Sequence, residues 1–328
     1  MAGAVVMLIG FSYMLRPMDG DFNRDTLPGF YAEEKNSLDV VTIGSSAIYR
    51  FWNLPYAWEE YGITSYNLAT NQQQSEHTLP LMKEALKTQN PDLFLVEMRA
   101  YCKYSDDEDK LRTAFRRVSD NMSYSWDRIR MINEHTVNWK DRFELYFDII
   151  FYHSQWEGLD IERLDYVDNE KKLKRKGWEN IYKVRPLNAP LDYTGLVPKA
   201  IDEKQETDLR KLLSYCKENE IEVLFVLNSM EMTKTRAQRS LYVESIVEEY
   251  GYDYLDCNLM AEKIGLDYSK DFYDRMHVNV GGSQKVTKFL ADYMLEHYDM
   301  ELSHSKAIRK EWDTVAKENS VRYNMLRK

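Results

Sequence analysis

Asp39-Val40-Val41-Thr42-Ile43-Gly44-Ser45-Ser46-Ala47-Ile48-Tyr49 is the stretch whose reading decides the fold. Val40 to Ile43 is a β-branched run of the kind that fills a buried strand. It stops at Gly44, two serines follow, and a helical pattern begins directly after. A serine at the C-terminal end of a parallel strand, beside a helix N-terminus, is well placed as a nucleophile. Backbone N–H groups converge there, and the helix dipole favours developing negative charge.

The reading gains weight from a second stretch, Asp271-Phe272-Tyr273-Asp274-Arg275-Met276-His277-Val278-Asn279, with Gly281, Gly282 and a helical run from Ser283 behind it. Asp274 and His277 are three apart, so within one turn both side chains can face the same way. A carboxylate beside an imidazole fixes its tautomer and stabilises the imidazolium, which is what the general base of a serine nucleophile requires. A plainer account makes Asp274 a loop cap and His277 a turn filler. The two stretches together favour the chemical account over the plain one.

Between them the chain repeats strand and helix. Ser65 to Ala69, Leu93 to Glu97, Val223 to Leu227 and Tyr252 to Leu255 read as further strands. Ala47 to Tyr61 (broken near Pro55), Ser75 to Lys87, Lys204 to Asn219, Thr235 to Tyr250 and Ser283 to His297 read as helices. Such alternation predicts an α/β fold with a doubly wound parallel sheet and ligands at the strand C-termini. From residue 100 to 199 the pattern becomes helical and rich in Trp (Trp126, Trp139, Trp156, Trp178), which predicts an inserted cap near the site. The cap ends in a basic run, Lys171 to Lys176, that reads as a solvated face or a contact for an anionic polymer. His153, within the cap, reads as a structural histidine that could also reach the site. Asn228 and Ser229 follow a strand and either line the pocket or cap a loop.

With Gly44-Ser45-Ser46 after the first strand and Asp274-x-x-His277 before the last helix, the chain resembles the SGNH/GDSL hydrolases from about Asp39 to Tyr298. The flanking residues resemble those of extracytoplasmic bacterial members that modify cell-wall polymers, of the DltD-like and O-acetylation type. The resemblance implies a flavodoxin-like three-layer α/β/α fold, with Ser46 as nucleophile, His277 as base and Asp274 as its orienter. It implies an acyl-enzyme mechanism: a serine esterase acting on an acylated carbohydrate or cell-wall polymer, or an O-acyltransferase using the same intermediate. No metal or organic cofactor is implied. Ser45, Thr70, Asn71, Gln72, Gln73 and Asn279 are then the candidates for oxyanion and substrate contacts. Two family features are absent. The second block, Tyr66 to Gln74, has no glycine, and Glu97-Met98-Arg99 stands where Gly-x-Asn-Asp is usual. A non-catalytic glycan-binding protein on the same fold is therefore the competing expectation. A flavodoxin-like nucleotide binder is disfavoured by the lack of a glycine-rich phosphate loop.

The 328 residues, 44% apolar and 30% charged, suit one large α/β unit with an insertion. The predicted division is 1–16, 17–38 (linker), 39–99 with 200–300 (core), 100–199 (cap) and 301–328 (a peripheral helical tail). Net charge is −10 with no basic face or aromatic-basic platform, which argues against a nucleic-acid partner. Cys102, Cys216 and Cys257 show no metal-like spacing, and Cys216 and Cys257 read as small core residues. Ala2 to Leu15 is almost wholly apolar but shorter than the ~20 residues a bilayer-spanning helix needs. It reads as a membrane anchor, a signal-like segment or a buried helix. The resemblance favours the anchor, with the catalytic unit on the extracytoplasmic face; secretion or a cytoplasmic location are the alternatives.

Overall fold

The computed structural model describes residues 22–103, 107–152 and 175–326, with positions 3, 7, 8 and 10–12 near the start. Five strands, β1 (Val40–Gly44), β2 (Ser65–Ala69), β3 (Leu93–Glu97), β4 (Val223–Leu227) and β5 (Asp253–Asp256), form one sheet in the order β2-β1-β3-β4-β5. Every neighbouring pair is parallel, so each connection must cross a face of the sheet, and helices cover it. Burial of whole strands on both faces explains why β1, β3 and β4 read as continuous apolar runs and not as alternating ones. β5 begins one residue later than its sequence pattern indicates.

The order reverses at β1: the chain first goes to β2 on one side and then to β3 on the other. A crevice opens outside the strand ends at such a reversal. Gly44, the last residue of β1, is what lets the two strands finish there together. A Cβ added at Gly44 would lie 2.6 Å from Glu97 Cβ at the end of β3. Gly44→Ala is therefore expected to cost about 1–3 kcal/mol by overpacking, read as a lower urea midpoint with an unchanged m value.

The helical pattern after β1 resolves into two pieces, Ile48–Phe51 and Leu54–Tyr61. Asn53 breaks it by capping the second helix through its side chain, and Gly62, in the left-handed conformation, closes that helix. Ser75–His77 is a 3₁₀ turn leading into Thr78–Ala85. Glu203–Glu218, Lys234–Glu249 and Val280–His297 supply the remaining long covering helices.

Four expectations change. The segment read as a linker contains the helix Phe22–Tyr31, with Pro28 inside it. Its Leu27 and Phe30 are buried, Phe30 packs edge-on against Tyr66, and the Tyr66 hydroxyl donates to Thr26 O. Tertiary burial outweighs the helix-breaking tendency of Pro28 and Gly29. The tail forms the helix Lys306–Leu326, docked on Leu54–Tyr61 through buried Trp312, Val315 and Ala316, and is part of the core. Among its described residues the cap is helical only as far as Tyr152 (Glu108–Ser119, Trp126–His135, Trp139–Tyr146, Ile149–Tyr152). Residues 179–199 form a strap without helix, bonded to the helix after β1 and to the segment before His277: Glu179 N–H donates to Tyr49 O and Arg185 N–H to Phe272 O. Finally, Lys176 is buried and paired with Glu33 at 2.6 Å and with Glu311, so this end of the basic run is not a solvated face. Lys171 to Lys174, His153 and most of residues 1–16 lie outside the described residues. Among the described residues no helix is long and apolar enough to cross a membrane. The three cysteines are buried and unpaired.

Candidate active site

Ser45 and Ser46 sit in the turn between β1 and the helix Ile48–Phe51, both buried. His277 comes from a small hairpin after β5. Phe272 and Val278 form an antiparallel bridge, Tyr273 N–H donates to His277 O, and Asn279 N–H to Asp271 O. At the hairpin tip Asp274 accepts a bond from Met276 N–H at 2.7 Å, a local turn that aims its carboxylate at the imidazole. Asn228 and the loop after β4 hold this tip. Asn228 Nδ2 donates to Met276 O, and Glu231 N–H to Arg275 O. Asn228 therefore supports the hairpin, Ser229 donates to Cys257 O just after β5, and neither lines the cleft.

The three side chains meet. Ser46 Oγ lies 2.8 Å from His277 Nε2, and His277 Nδ1 lies 3.0 Å from both Asp274 oxygens. With Nδ1–H donating to Asp274, Nε2 carries the lone pair that accepts the Ser46 hydroxyl proton. Burial holds the His277 pKa down at about 4; the charges of Arg99 and Arg50 add to this, and the Asp274 hydrogen bond opposes it. Burial alone would raise the Asp274 carboxyl. Its bond and charge interaction with His277, the Met276 N–H and Arg50 outweigh that and bring it to about 2. At neutral pH the pair is thus a carboxylate and a neutral imidazole, the state a general base must start from.

Two arginines complete the site. Arg99 follows β3 and is buried; its Nη2 donates to Ser46 Oγ and Ser45 Oγ, each at 2.8 Å, and its Nη1 lies 3.4 Å from His277 Nε2. Glu97 steers it from below, accepting from Arg99 N–H at 2.7 Å and from the Ser45 hydroxyl at 2.7 Å. Ser45 is thereby the joint between Glu97 and Arg99. Arg50 lies one helical turn beyond Ser46, 3.4 Å from His277 Nε2, and is paired with Glu179 of the strap. Tyr273 stacks on the imidazole at 5.4 Å, with Arg50 over its ring.

The cleft, about 200 Å3, runs from Ser46 and His277 between Asn71–Gln74 on one wall and Arg99, Ala100, Lys103, Lys110 and Leu111 on the other. Asn71, Gln72 and Gln73 are at the cleft, but two of the expected amide donors are engaged elsewhere. Thr70 N–H is directed at Gly44 O and Gln73 Oε1, and Asn71 N–H at Asn23 Oδ1. Gln73 Nε2 in this segment is buried without a partner among the described residues. Among those residues nothing accepts from the Ser46 backbone N–H either. Gln72 holds the turn with a positive φ of 59°. Asn279 is elsewhere: it caps the helix Val280–His297 and donates to Lys270 O. Arg99, Arg50, Glu97, Glu179 and Tyr273 went unassigned in the sequence. Only Arg50 carried a local signal, its i, i+4 spacing from Ser46.

The larger cleft, about 580 Å3, shares no lining residue with this one. Glu76, His135 and Asp208 approach within 4.8 Å of one another there, a spacing that could hold a cation. Lys204 already pairs with Glu76, and Ser75 Oγ donates to Asp208. Ion pairs line this surface, and none of its residues lines the cleft at Ser46. The sequence matches no family model and no curated protein.

Proposed function

We propose that the chain is an acyl-transfer enzyme of the SGNH/GDSL type, a serine esterase working through Ser46, His277 and Asp274. The observation that carries this reading is the unbroken relay from Ser46 Oγ to His277 Nε2 at 2.8 Å and from Nδ1 to Asp274 at 3.0 Å. Its place at the β1/β3 reversal of a parallel sheet supports it further. The extracytoplasmic glycan or cell-wall polymer as natural substrate rests on the resemblance of the flanking sequence alone.

In this mechanism His277 Nε2 takes the Ser46 proton as Oγ attacks an ester carbonyl. The carbonyl π pair moves to oxygen, and the oxyanion forms against the Ser46 N–H, the Arg99 guanidinium and Gln73 Nε2. Collapse expels the alcohol, which leaves with the proton from His277. Water, or a glycan hydroxyl in the transferase variant of the reading, then attacks the Ser46 ester with His277 again as base. Arg99 occupies the position where the family usually places an asparagine, and its bond to Ser46 Oγ favours the alkoxide over the neutral hydroxyl.

The test is acyl trapping. Protein mixed with an aryl acetate and quenched in acid should show an acetyl adduct by intact mass, mapped to Ser46 and missing from Ser46→Ala. A folded wild-type protein with neither adduct nor turnover would favour the non-catalytic glycan-binding alternative.

A further inference from the structure

The wall of the cleft that faces Asn71–Gln74 carries three cations, Arg99, Lys103 and Lys110, and among the described residues only Lys110 is in an ion pair, with Asp107. Lys103 and Lys110 line it next to Arg99. Lys103 has an exposed side chain, and partial desolvation together with the like charges of Arg99, Arg236 and Lys110 lowers its pKa. Among the described residues no carboxylate pairs with Lys103 or contacts the Arg99 guanidinium. The acids nearby are otherwise engaged: Asp107 pairs with Lys110, Glu179 with Arg50, Asp274 with His277, and Glu97 with Ser45 and the Arg99 backbone. Like charges gathered in a partly desolvated wall repel one another, and a bound anion relieves that repulsion. The chain as a whole is at −10, so this local excess runs against the net charge of the molecule.

We propose that Lys103, with Lys110 and Arg99, forms an anion subsite, and that the substrate ester carries a carboxylate or phosphate group a few bonds from its scissile carbonyl. The inference rests on the acyl-enzyme reading for the word ester, but not for the anion. A cleft of about 200 Å3 fits a short charged group beside the carbonyl and leaves the rest of a larger substrate outside. The anion also compensates the positive charge that His277 acquires between Arg50 and Arg99 when it takes the Ser46 proton.

The experiment has two arms. In the first, kcat/KM is compared for phenyl acetate, 4-acetoxybenzoate and 4-acetoxyphenyl phosphate, and for phenyl butyrate against phenyl hemisuccinate. These pairs place the anion on the alcohol or the acyl side and separate carboxylate from phosphate. An anionic ester should exceed its neutral partner by about tenfold or more at low salt, the scale of one charge-assisted hydrogen bond. The preference should shrink with added salt, collapse towards one in Lys103→Met and persist in Lys103→Arg. In the second arm, Ser46→Ala protein is titrated calorimetrically with succinate, phenyl phosphate and inorganic phosphate, with and without Lys103→Met. Equal rates for neutral and anionic esters in the wild type, or a preference untouched by Lys103→Met, overturns the proposal. Lys103-dependent anion binding with no ester turnover upholds the subsite and overturns the esterase reading instead. Neither turnover nor anion binding overturns both.

Discussion

Replacing His277 with alanine is expected to lower kcat for an aryl acetate by on the order of 10⁴- to 10⁶-fold while KM changes little. In the proposed mechanism the imidazole acts only as the Ser46 proton leaves, so ground-state binding in the cleft should survive its loss. Among the described residues no other base is bonded to Ser46 Oγ. The groups next to Ser46 Oγ are His277 and the Arg99 guanidinium, and a guanidinium cannot accept a proton. Steady-state kinetics on His277→Ala beside Ser46→Ala gives the check. Because the two side chains act as one unit, the double variant should be no slower than the worse single one. Additive losses would mean that the two do not work on the same proton.

Arg99→Met should carry the next largest effect, a fall in kcat of about 10²–10³-fold, the usual cost of one oxyanion donor. A methionine fills similar space but leaves the buried Glu97 carboxylate without the cation that offsets it, so the unfolding midpoint should fall while the fold, checked by circular dichroism, is kept. A diagnostic accompanies the rate. In the wild type, kcat/KM should climb with pH through about 4, where His277 loses its proton, and be level by neutrality. The sign follows from the lowered pKa, since the neutral base persists well below the range of an ordinary histidine. Removing the Arg99 charge takes away one of the causes of that lowering, so the acid limb of the variant should move to higher pH. A pure loss of packing would reduce the rate and leave the limb in place.

β1, β3 and β4 were legible because they are largely apolar runs bounded by turn residues, and a strand buried on both faces needs no partner to be recognised. The helix Phe22–Tyr31 was not, since Pro28 and Gly29 argue locally for a turn and only Tyr66, 36 positions beyond Phe30, shows what that helix covers. The tail was misjudged for the same reason: its charges are local, whereas the packing of Trp312 on Trp58 is not. At the site, Asp274 and His277 could be paired by spacing and joined to Ser46 by the strand-end position. Arg99 stood out in the sequence only as a departure from a pattern. Its contact with both serines depends on β1 and β3 being neighbours, which the order of the strands along the chain does not specify. Glu179 reaches Arg50 across 129 positions, a relation that no periodicity encodes.

The uniform direction of the five strands also gives the molecule a working side and an idle side. The turns that lead into the strands, at Thr88–Asp92, Glu218–Glu222 and Gly251, lie at the end opposite Ser46 and contribute nothing to its cleft. Glu218–Glu220 and Gly251 are exposed as well. A dye, an affinity handle or a resin linkage fixed there would present the cleft outward, whereas the same attachment near Gln72 or Lys110 would plug it.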